Sequence, residues 1–347
     1  MATVALIVTA ALWAVGFLLG RRLVRCARSV PPPGEPAVSI VIPARNEEHN
    51  LPKLLRSLAA QSVQPREIIV VNDASTDRTA EIARRSGAVV LDSRPLPEGW
   101  RGKTWACHQG AEAATGSRLL FLDADTWLEP LGLARLLELH EGGALSLGPF
   151  HVVRRAYEEL SLFFNFNMAF GTMPDGLFGP MLLVDRESYQ RAGGHAAVKG
   201  RTLENFFLAR QFRAAGIPTR SATGRNIFSF RMYPNSLREL IEGWTKGFAS
   251  GASQTPRGVL LLIVAWMIGL MLAPIGWLAT GDWLWWGPLY LLCAAQVGWL
   301  SPQIGSFRRM TALLYPVPLV FFFAVFARSA MRSGKQVTWK GREIRAD

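Results

Sequence analysis

The chain has 347 residues, of which 50% are hydrophobic and 18% are charged, and its net charge is +12. Soluble domains usually contain about 25% charged residues, so this composition argues against a disordered chain. It also makes nucleic-acid binding a poor explanation of the basic charge, because positive charge beside apolar runs is typical of the cytoplasmic face of a membrane. The three cysteines are far apart, and we expect neither a disulfide framework nor a structural zinc site.

The first predicted element is an apolar helix. Residues Ala2 to Gly20 form an uncharged run of 19 residues, close to the ~20 that cross a bilayer core. Arg21 and Arg22 follow this run, whereas a cleaved signal peptide has its positive charge before the apolar stretch. We predict an uncleaved transmembrane anchor over 1–20 with its N-terminus outside, and a basic, proline-rich linker over 21–36. A buried helix of a soluble domain is the alternative.

Through residues 37–257, β-branched runs alternate with helical patterns, and we predict one cytoplasmic α/β domain there. The predicted strands are Val38–Ile42, Glu67–Val71, Ala88–Leu91 and Arg118–Leu122. Helices are predicted to open at Asn50 and Pro52, at Ser75 or Thr76, and at about Lys103. Such an alternation predicts a parallel sheet with helices on both faces, which binds ligands beyond the carboxyl ends of its strands. The sequence motifs of dinucleotide-binding and P-loop enzymes are absent.

Polar clusters follow three of the predicted strands. The segment Pro43–Glu47 follows the first, and Asn72–Asp77 follows the second. Asp123 and Asp125, separated by one alanine, follow the strand Arg118–Leu122. Two carboxylates at the end of a buried strand suit a hard divalent cation that is shared with substrate phosphate oxygens. The alternative is a helix N-cap, but the two neighbouring clusters favour the metal site.

An apolar, aromatic stretch occupies Leu160–Phe170 and is too short to span a membrane. It has two interpretations, an interfacial segment that guides a lipid towards the site or a core helix of the domain. The sequence leaves both open.

Three longer apolar runs follow near the C-terminus, at Gly258–Thr280, Trp283–Leu300 and Thr311–Ala327. We predict two or three transmembrane segments over 258–327 and a basic tail over 328–347. If the third run spans, the tail ends outside; if the run is re-entrant or interfacial, the tail stays inside. Residues 1–36 and 258–347 carry +3 and +5 of the net charge, and 37–257 keeps +4. The basic charge therefore flanks the predicted membrane segments.

The motifs at the strand ends resemble glycosyltransferase family 2, whose members are inverting enzymes with a GT-A fold. The resemblance covers residues 37–250 and rests on Val38–Glu47, Val70–Asp77, Gly102-Lys103 and Phe121–Asp125. Within the family, Gly99–Ala106 and the tail segment Thr338–Arg342 resemble membrane-anchored enzymes that glycosylate lipids, such as the carotenoid-acid (diaponeurosporenoate-type) and hopanoid-associated glycosyltransferases. The resemblance implies a GT-A, Rossmann-like nucleotide-sugar domain in a multi-pass protein of the cell membrane.

The resemblance also implies roles for site residues. Four of them would line the uridine pocket of a UDP-sugar: Pro43, Arg45, Glu47 and Asp73. Lys103 would approach the nucleotide, unless it is an ordinary solvated lysine in a first helical turn. Asp123 and Asp125 would hold Mg²⁺ or Mn²⁺ against the nucleotide sugar. Such a cation acts as a Lewis acid on the departing nucleotide.

The general base departs from the family pattern. Family members usually carry a catalytic aspartate after an acidic residue, whereas this chain has Glu204 followed by Asn205, and an amide cannot accept the proton. Three interpretations follow. Glu204 serves as the base, shifted by one position; or the acceptor is a carboxylate, already ionised, and a glycosyl ester forms; or the domain is weak or inactive.

Three further residues are candidates on the acceptor side. His195 follows two glycines ahead of Glu204 and either binds an acceptor oxygen or phosphate or is a turn residue. Trp244 is the one residue that fits the family's Gln-x-x-Arg-Trp signature, which is typical of processive synthases. It either packs against the acceptor, with Lys246 supplying charge, or anchors the chain at the membrane interface.

The leading hypothesis is therefore transfer of one sugar from a nucleotide sugar to a membrane lipid, such as a carotenoid acid. The first competitor transfers sugar to a polyprenyl phosphate. The second, suggested by Asn205, is a non-catalytic membrane protein that binds a nucleotide sugar. Nucleic acid is not an expected partner.

Overall fold

The computed structural model describes residues 2–25, 37–201, 203–252, 255–332, 337–339 and 342–344. Most of the predicted linker, residues 26–36, and most of the predicted tail lie outside these ranges, as do the side chains of residues 246–252. The described chain forms a mixed sheet flanked by helices and a separate layer of apolar helices. Each has its own hydrophobic core.

The strands in chain order are β1 (Val38–Ala44), β2 (Glu67–Asn72), β3 (Val89–Asp92), β4 (Arg118–Leu122), β5 (Thr126–Leu128), β6 (Ala144–Gly148), β7 (Phe150–His151), β8 (Met181–Asp185), β9 (Thr219–Thr223), β10 (Phe228–Phe230), β11 (Val337–Trp339) and β12 (Arg342–Ile344). The main sheet has the order β3-β2-β1-β4-β8-β6-β9, and a small sheet has the order β5-β10-β7. Strands β11 and β12 form a hairpin.

The helices in chain order are α1 (Ala2–Arg22), α2 (Leu51–Ala59), α3 (Thr79–Arg85), α4 (Gly102–Ala113), α5 (Gly132–Leu139), α6 (Leu162–Thr172), α7 (Arg186–Arg191), α8 (Glu204–Ala214), α9 (Leu237–Ala252), α10 (Arg257–Thr280), α11 (Trp283–Leu300), α12 (Arg309–Leu313) and α13 (Pro316–Arg332). Apolar residues of α2 meet the buried strands through Leu51, Leu54, Leu55 and Leu58, which repeat at helical spacing. This packing orients α2 so that it begins at the carboxyl edge of the sheet.

The prediction of a purely parallel sheet is corrected in one respect. Strands β1, β2, β3 and β4 are parallel, but β8 runs antiparallel between β4 and β6. Hydrophobic periodicity reports burial and not strand direction, so this reversal was not predicted. Because β8 is antiparallel to β4, it begins at the edge of the sheet where β4 ends, and the segment before Met181 lies at that edge.

Helix α3 also begins later than predicted, at Thr79 and not at Ser75 or Thr76. The carboxylate of Asp77 holds the intervening loop: Oδ1 accepts a hydrogen bond from Thr79 N (3.0 Å) and Oδ2 accepts one from Glu48 N (3.1 Å). These bonds compete with an earlier helical turn. They also lower the pKa of Asp77 against the opposing effect of burial.

The apolar helix layer joins the two ends of the chain. Helix α1 runs antiparallel to α10, since a Cβ at Gly16 would meet Trp266 and one at Gly269 would meet Leu12. At its far end, Arg22 Nε donates to Phe170 O at 3.0 Å, which ties α1 to α6. The layer therefore packs directly on the α/β domain.

Two helices of the described chain are long and apolar enough to cross a membrane, Thr3–Arg22 and Arg257–Thr280. The third C-terminal run is interrupted: α12 ends at Leu313, and α13 begins at Pro316 and has 17 residues. Proline has no backbone N–H and fits a first helical turn, which accounts for the break. The predicted run Thr311–Ala327 is thus not one continuous helix.

The aromatic segment predicted as interfacial or core is a core helix. The side chains of Phe163, Phe164, Phe166 and Phe170 of α6 are fully buried against the apolar helix layer. Phe164 stacks on Trp244 of α9 with ring centroids 4.6 Å apart. Helix α6 is therefore the contact between the α/β domain and the apolar layer.

Candidate active site

The polar clusters meet at one edge of the sheet because the strands before them are parallel neighbours. Ala44 pairs with Asn72 at the ends of β1 and β2, and Val41 pairs with Phe121 near the end of β4. Antiparallel β8 begins at this edge, and Asp123 N donates to Pro180 O at 2.9 Å. The loop Phe178–Pro180 is thereby part of the site, and sequence analysis missed it.

One half of the site lies beyond β1 and β2. Arg45 Nη1 donates to Asp73 O at 2.9 Å and lies 3.9 Å from Asp73 Oδ2. Asp73 is buried, and Glu47 N donates to Thr79 Oγ1 at 2.8 Å. Pro43 is half-buried in β1, next to Val71 in register. All four residues predicted for the nucleotide pocket therefore lie at this one corner.

The two loops of this corner are interlocked. Thr76 N donates to Asn46 Oδ1 (2.9 Å), and Asn46 N donates to Ser75 Oγ (3.1 Å). Asn46 and Ala74 have positive φ angles of 54° and 52°, a conformation that is costly for alanine. The reciprocal bonds hold this turn and shape the concave corner.

The other half of the site is an ion triad on Lys103, in the first turn of α4. Lys103 Nζ lies 2.7 Å from Asp123 Oδ1, 2.9 Å from Asp123 Oδ2 and 2.7 Å from Glu204 Oε1. It also donates to Gly179 O at 3.2 Å. Lys103 is thus ion-paired with two carboxylates at this edge, and its role towards a nucleotide stays a prediction.

Backbone contacts bring the triad together. Arg101 N donates to Lys199 O at 2.9 Å, and Thr104 Oγ1 donates to the same oxygen at 2.7 Å. These bonds fasten the start of α4 to the segment that leads into α8, whose first residue is Glu204. This contact brings Lys103 and Glu204, which are far apart in sequence, close together in space.

Burial and charge oppose each other on the triad. Burial by itself would lower the pKa of Lys103, but the carboxylates of Asp123 and Glu204 outweigh it and raise that pKa above its ordinary value. Burial raises the pKa of Glu204, and Lys103 works against this rise. Lys103 is therefore a permanent cation, and Glu204 is a carboxylate with increased proton affinity.

The carboxylate of Glu204 is buried and ion-paired. Its side chain is only 5% exposed, and its Oε1 lies 2.7 Å from Lys103 Nζ. A buried carboxylate with raised proton affinity is suited to accept a proton.

Asn205 has a structural role. Its side-chain amide is buried and donates to Phe178 O (2.7 Å) and Gly179 O (3.1 Å). An ionised aspartate can only accept hydrogen bonds, so it would face two carbonyl oxygens there. The amide therefore holds the loop whose Gly179 carbonyl contacts Lys103.

Asp123 and Asp125 supply two hard oxygen donors at the end of β4. The Asp123 side chain is 28% exposed and paired with Lys103, and Asp125 is exposed. No group of three or more His, Cys, Asp or Glu residues converges among the described residues. This donor set fits a Mg²⁺ or Mn²⁺ whose remaining ligands come from substrate oxygens and water, and it does not form a complete protein cage.

His195 lies on the inner side of the triad. It is 1% exposed, its Nδ1 lies 2.8 Å from the hydroxyl of Tyr189, and its ring packs edge-on against Phe121. Burial, with the neighbouring Lys103 and His108, lowers its pKa to about 3. It is neutral at physiological pH. Its catalytic role stays a prediction.

Trp244 is buried, and its Nε1 donates to Ser161 Oγ at 3.0 Å. It lies in the aromatic contact between α6 and α9. Lys246 belongs to α9, but its side chain lies outside the described residues. The acceptor roles of both stay predictions.

Comparisons with known proteins agree with this architecture. Residues 39–162 match the family model described as glycosyl transferase family 2. The chain is 34% identical over 330 residues to a 4,4'-diaponeurosporenoate glycosyltransferase of Staphylococcus aureus (strain USA300), and the match covers 88% of each chain.

A mannosyltransferase from Pyrobaculum calidifontis, solved with GDP-Man and Mn²⁺, has a similar fold, with a TM-score of 0.52 and 18% identity. That match covers 95% of each chain. The expected α/β GT-A-like fold is confirmed, with a mixed central sheet. Given the family-model match and a relative that is 34% identical over most of both chains, the chain belongs to glycosyl transferase family 2.

Proposed function

We propose that this glycosyltransferase moves one sugar, with inversion, from a nucleotide sugar to a membrane lipid. The observation that carries the proposal is the triad of Asp123, Lys103 and Glu204. It combines a strand-end carboxylate, an ion-paired cation and a buried carboxylate of raised proton affinity. Leaving-group stabilisation and proton acceptance are the two tasks of an inverting transfer.

The donor would occupy the corner beyond β1 and β2. Asp73, beside Arg45, would face the uracil of a UDP-sugar, with Pro43 and Glu47 around it. Lys103 would approach the diphosphate, with its charge already shared between Asp123 and Glu204. Mg²⁺ or Mn²⁺ held by Asp123 and Asp125 would supply Lewis-acid stabilisation of the leaving nucleotide.

In the transfer, an acceptor oxygen forms a bond to the anomeric carbon while the bond from that carbon to the diphosphate oxygen breaks, and the nucleotide leaves with the electron pair. A hydroxyl acceptor loses its proton, which the carboxylate of Glu204 would accept. A carboxylate acceptor has no proton to lose and forms a glycosyl ester. Asn205 is not available as a base because it donates to two carbonyls.

A lipid acceptor is supported by the position of the site against the apolar helix layer. A small cavity of about 20 Å³ lies between them, lined in part by Met168, Met173, Phe178 and Ile304. The carbonyl of Phe178 accepts the amide of Asn205, so the cavity adjoins the residue after Glu204. The name of the Staphylococcus aureus relative supports a carotenoid acid as the acceptor.

The membrane arrangement follows from the helices. The basic end of α1, at Arg21 and Arg22, lies against the domain, and antiparallel α10 leaves the domain after Arg257. Positive residues flank spans on the cytoplasmic side. We infer a multi-pass protein of the cell membrane with its catalytic domain in the cytoplasm.

The proposed function is tested with the purified full chain in detergent, Mn²⁺ and a panel of UDP- and GDP-sugars. The acceptors are undecaprenyl phosphate and a pair of polyenes, all-trans retinoic acid and all-trans retinol, which differ only in the carboxylate or hydroxyl group. We expect a glycosylated lipid by mass spectrometry. Transfer only to undecaprenyl phosphate would favour the first competitor, and nucleotide-sugar binding without turnover would favour a non-catalytic protein.

The triad predicts a pH dependence. Because burial raises the pKa of Glu204, transfer to retinol should fall as the pH decreases through a value above the ordinary range of a glutamate. Lys103→Gln removes the nearest cation, so the acid limb of kcat/KM should move upward by about one pH unit. Lys199→Gln, an exposed lysine, is the matched control and should keep the wild-type limb. An unchanged limb in Lys103→Gln would exclude Glu204 as the group that titrates.

A further inference from the structure

A group of basic side chains lies on the small sheet, apart from the triad. Trp127 of β5 pairs with Ser229 of β10, and Ser229 pairs with Phe150 of β7. Arg231 directly follows β10, and Arg154 follows β7. Since β10 and β7 are parallel, both arginines leave the sheet at the same end. We call Lys53, Arg154 and Arg231 the cationic face.

Lys53 joins this face from α2. Its Nζ lies 2.7 Å from the ring centroid of Trp127. Trp127 Nε1 (3.0 Å) and Ser229 Oγ (2.5 Å) both donate to Glu129 Oε1, so these side chains share one side of the small sheet. Arg231 is two residues beyond Ser229. Since side chains of an extended chain alternate between the two faces of a sheet, residues 229 and 231 lie on the same side. Lys53 and Arg231 are therefore neighbours on that side.

Arg154 and Arg231 flank one buried carboxylate. Glu158, with a fully buried side chain, accepts from Arg231 Nε at 3.1 Å and from the backbone N of Arg154 at 2.7 Å. The Arg154 guanidinium itself is exposed, and it has no carboxylate within ion-pairing distance among the described residues. The ammonium of Lys53 likewise has no carboxylate within ion-pairing distance among the described residues, and it lies over the indole ring of Trp127.

The cationic face is thus only partly neutralised. Burial and the charge of Arg154 lower the pKa of Lys53 to about 8; Glu129 opposes this effect, and Arg231 adds to it. Neighbouring arginines destabilise the protonated form of this lysine, and a bound anion would stabilise it. Ring contact with Trp127 supplies some stabilisation, but it does not remove the repulsion.

The surroundings of the cationic face indicate which kind of anion it would bind. Thr126 pairs with Phe230, so Asp125 and Arg231 are adjacent at the end of the small sheet. On the other side, Tyr157, Met232 and Tyr233 pack on the apolar helix layer. The cationic face therefore lies between the predicted metal ligand and an apolar surface. A molecule with an anionic head and an apolar tail fits both neighbours.

We propose that Lys53, Arg154 and Arg231 bind the oxyanion of the lipid acceptor and select acids over alcohols. This inference rests on the proposed function. It names the acceptor as a lipid carboxylate whose charged head is held beside Asp125 while its tail follows the helix layer. An ionised acceptor also removes the need for a second carboxylate at position 205.

The test is the KM of Arg154→Gln and Lys53→Gln in the full chain, with retinoic acid, retinol and the nucleotide sugar varied in turn. Loss of one charge-assisted hydrogen bond should raise the KM for retinoic acid about tenfold or more. The KM values for retinol and for the nucleotide sugar should change less than about twofold. Arg155→Gln is the matched control, because the Arg155 guanidinium donates to Asn235 O and is not part of the cationic face.

Two results would overturn the inference. An equal rise of the KM for acid and alcohol would assign the cations a structural role, and a rise of the KM for the nucleotide sugar alone would assign them to the donor diphosphate. Both are distinct from failure of the proposed function, in which the wild-type chain transfers sugar to neither lipid. Circular dichroism and thermal unfolding of each variant identify any that fail to fold.

Discussion

Glu204→Gln is expected to lower kcat for transfer to retinol by about a hundredfold or more, the contribution of a positioned general base. The same variant should retain transfer to retinoic acid within about tenfold of wild type, because a carboxylate needs no deprotonation. The difference arises from one proton, which only the alcohol loses. Product formation measured at saturating nucleotide sugar for both acceptors gives the two ratios.

The variant is close to isosteric, and it keeps the volume of a buried side chain. It also removes the carboxylate partner of Lys103 Nζ at 2.7 Å, so a general loss of triad geometry would affect both acceptors. The acid therefore serves as the internal control. Glu187→Gln, an exposed glutamate of α7, should leave both rates unchanged.

Equal loss on both acceptors would show that Glu204 acts through the position of Lys103 and not as a base. Full retention on both would remove Glu204 from the reaction. Transfer to the alcohol in preference to the acid, with total loss in Glu204→Gln, would contradict the carboxylate acceptor and restore the hydroxyl mechanism of the family. Each outcome separates two of the interpretations that Asn205 leaves open in the sequence.

The strands that position the site were predictable because their signal is local. The starts of β1, β2 and β4 agree with the apolar, β-branched runs, and their ends place Asp73 and Asp123 at one edge. The direction of β8 was not predictable, because β8 is buried along its length as its neighbour β4 is, and burial alone does not give strand direction. The contribution of the Gly179 carbonyl depends on that direction.

Long-range contacts account for the rest. The bonds from Thr104 Oγ1 and Arg101 N to Lys199 O join segments far apart in sequence and bring Lys103 close to Glu204. Asn205 illustrates the same limit. Sequence analysis interprets it as a lost aspartate, whereas the structure gives it two carbonyl partners. The cationic face combines three elements, and no single motif indicates it.

Asp125→Ala is expected to abolish metal-dependent transfer, with a fall in kcat/KM of about a hundredfold or more, as for loss of transition-state charge stabilisation. The reason is the charge of the site. Lys103 is shared between two carboxylates, Asp123 and Glu204, so it cannot also neutralise a diphosphate. A divalent cation held by Asp123 and Asp125 would supply the missing positive charge.

The measurement is a Mn²⁺ titration of sugar transfer, together with Mn²⁺ binding followed by electron paramagnetic resonance in the presence of the nucleotide sugar. Wild type should bind Mn²⁺ and respond to it, and Asp125→Ala should do neither. Asp175→Ala is the matched control, because within the described part of the chain Asp175 accepts hydrogen bonds through its backbone carbonyl alone, from Arg213 and Thr219. A variant that still responds to Mn²⁺ with wild-type affinity would remove Asp125 from the metal site and leave Lys103 as the principal charge on the leaving group.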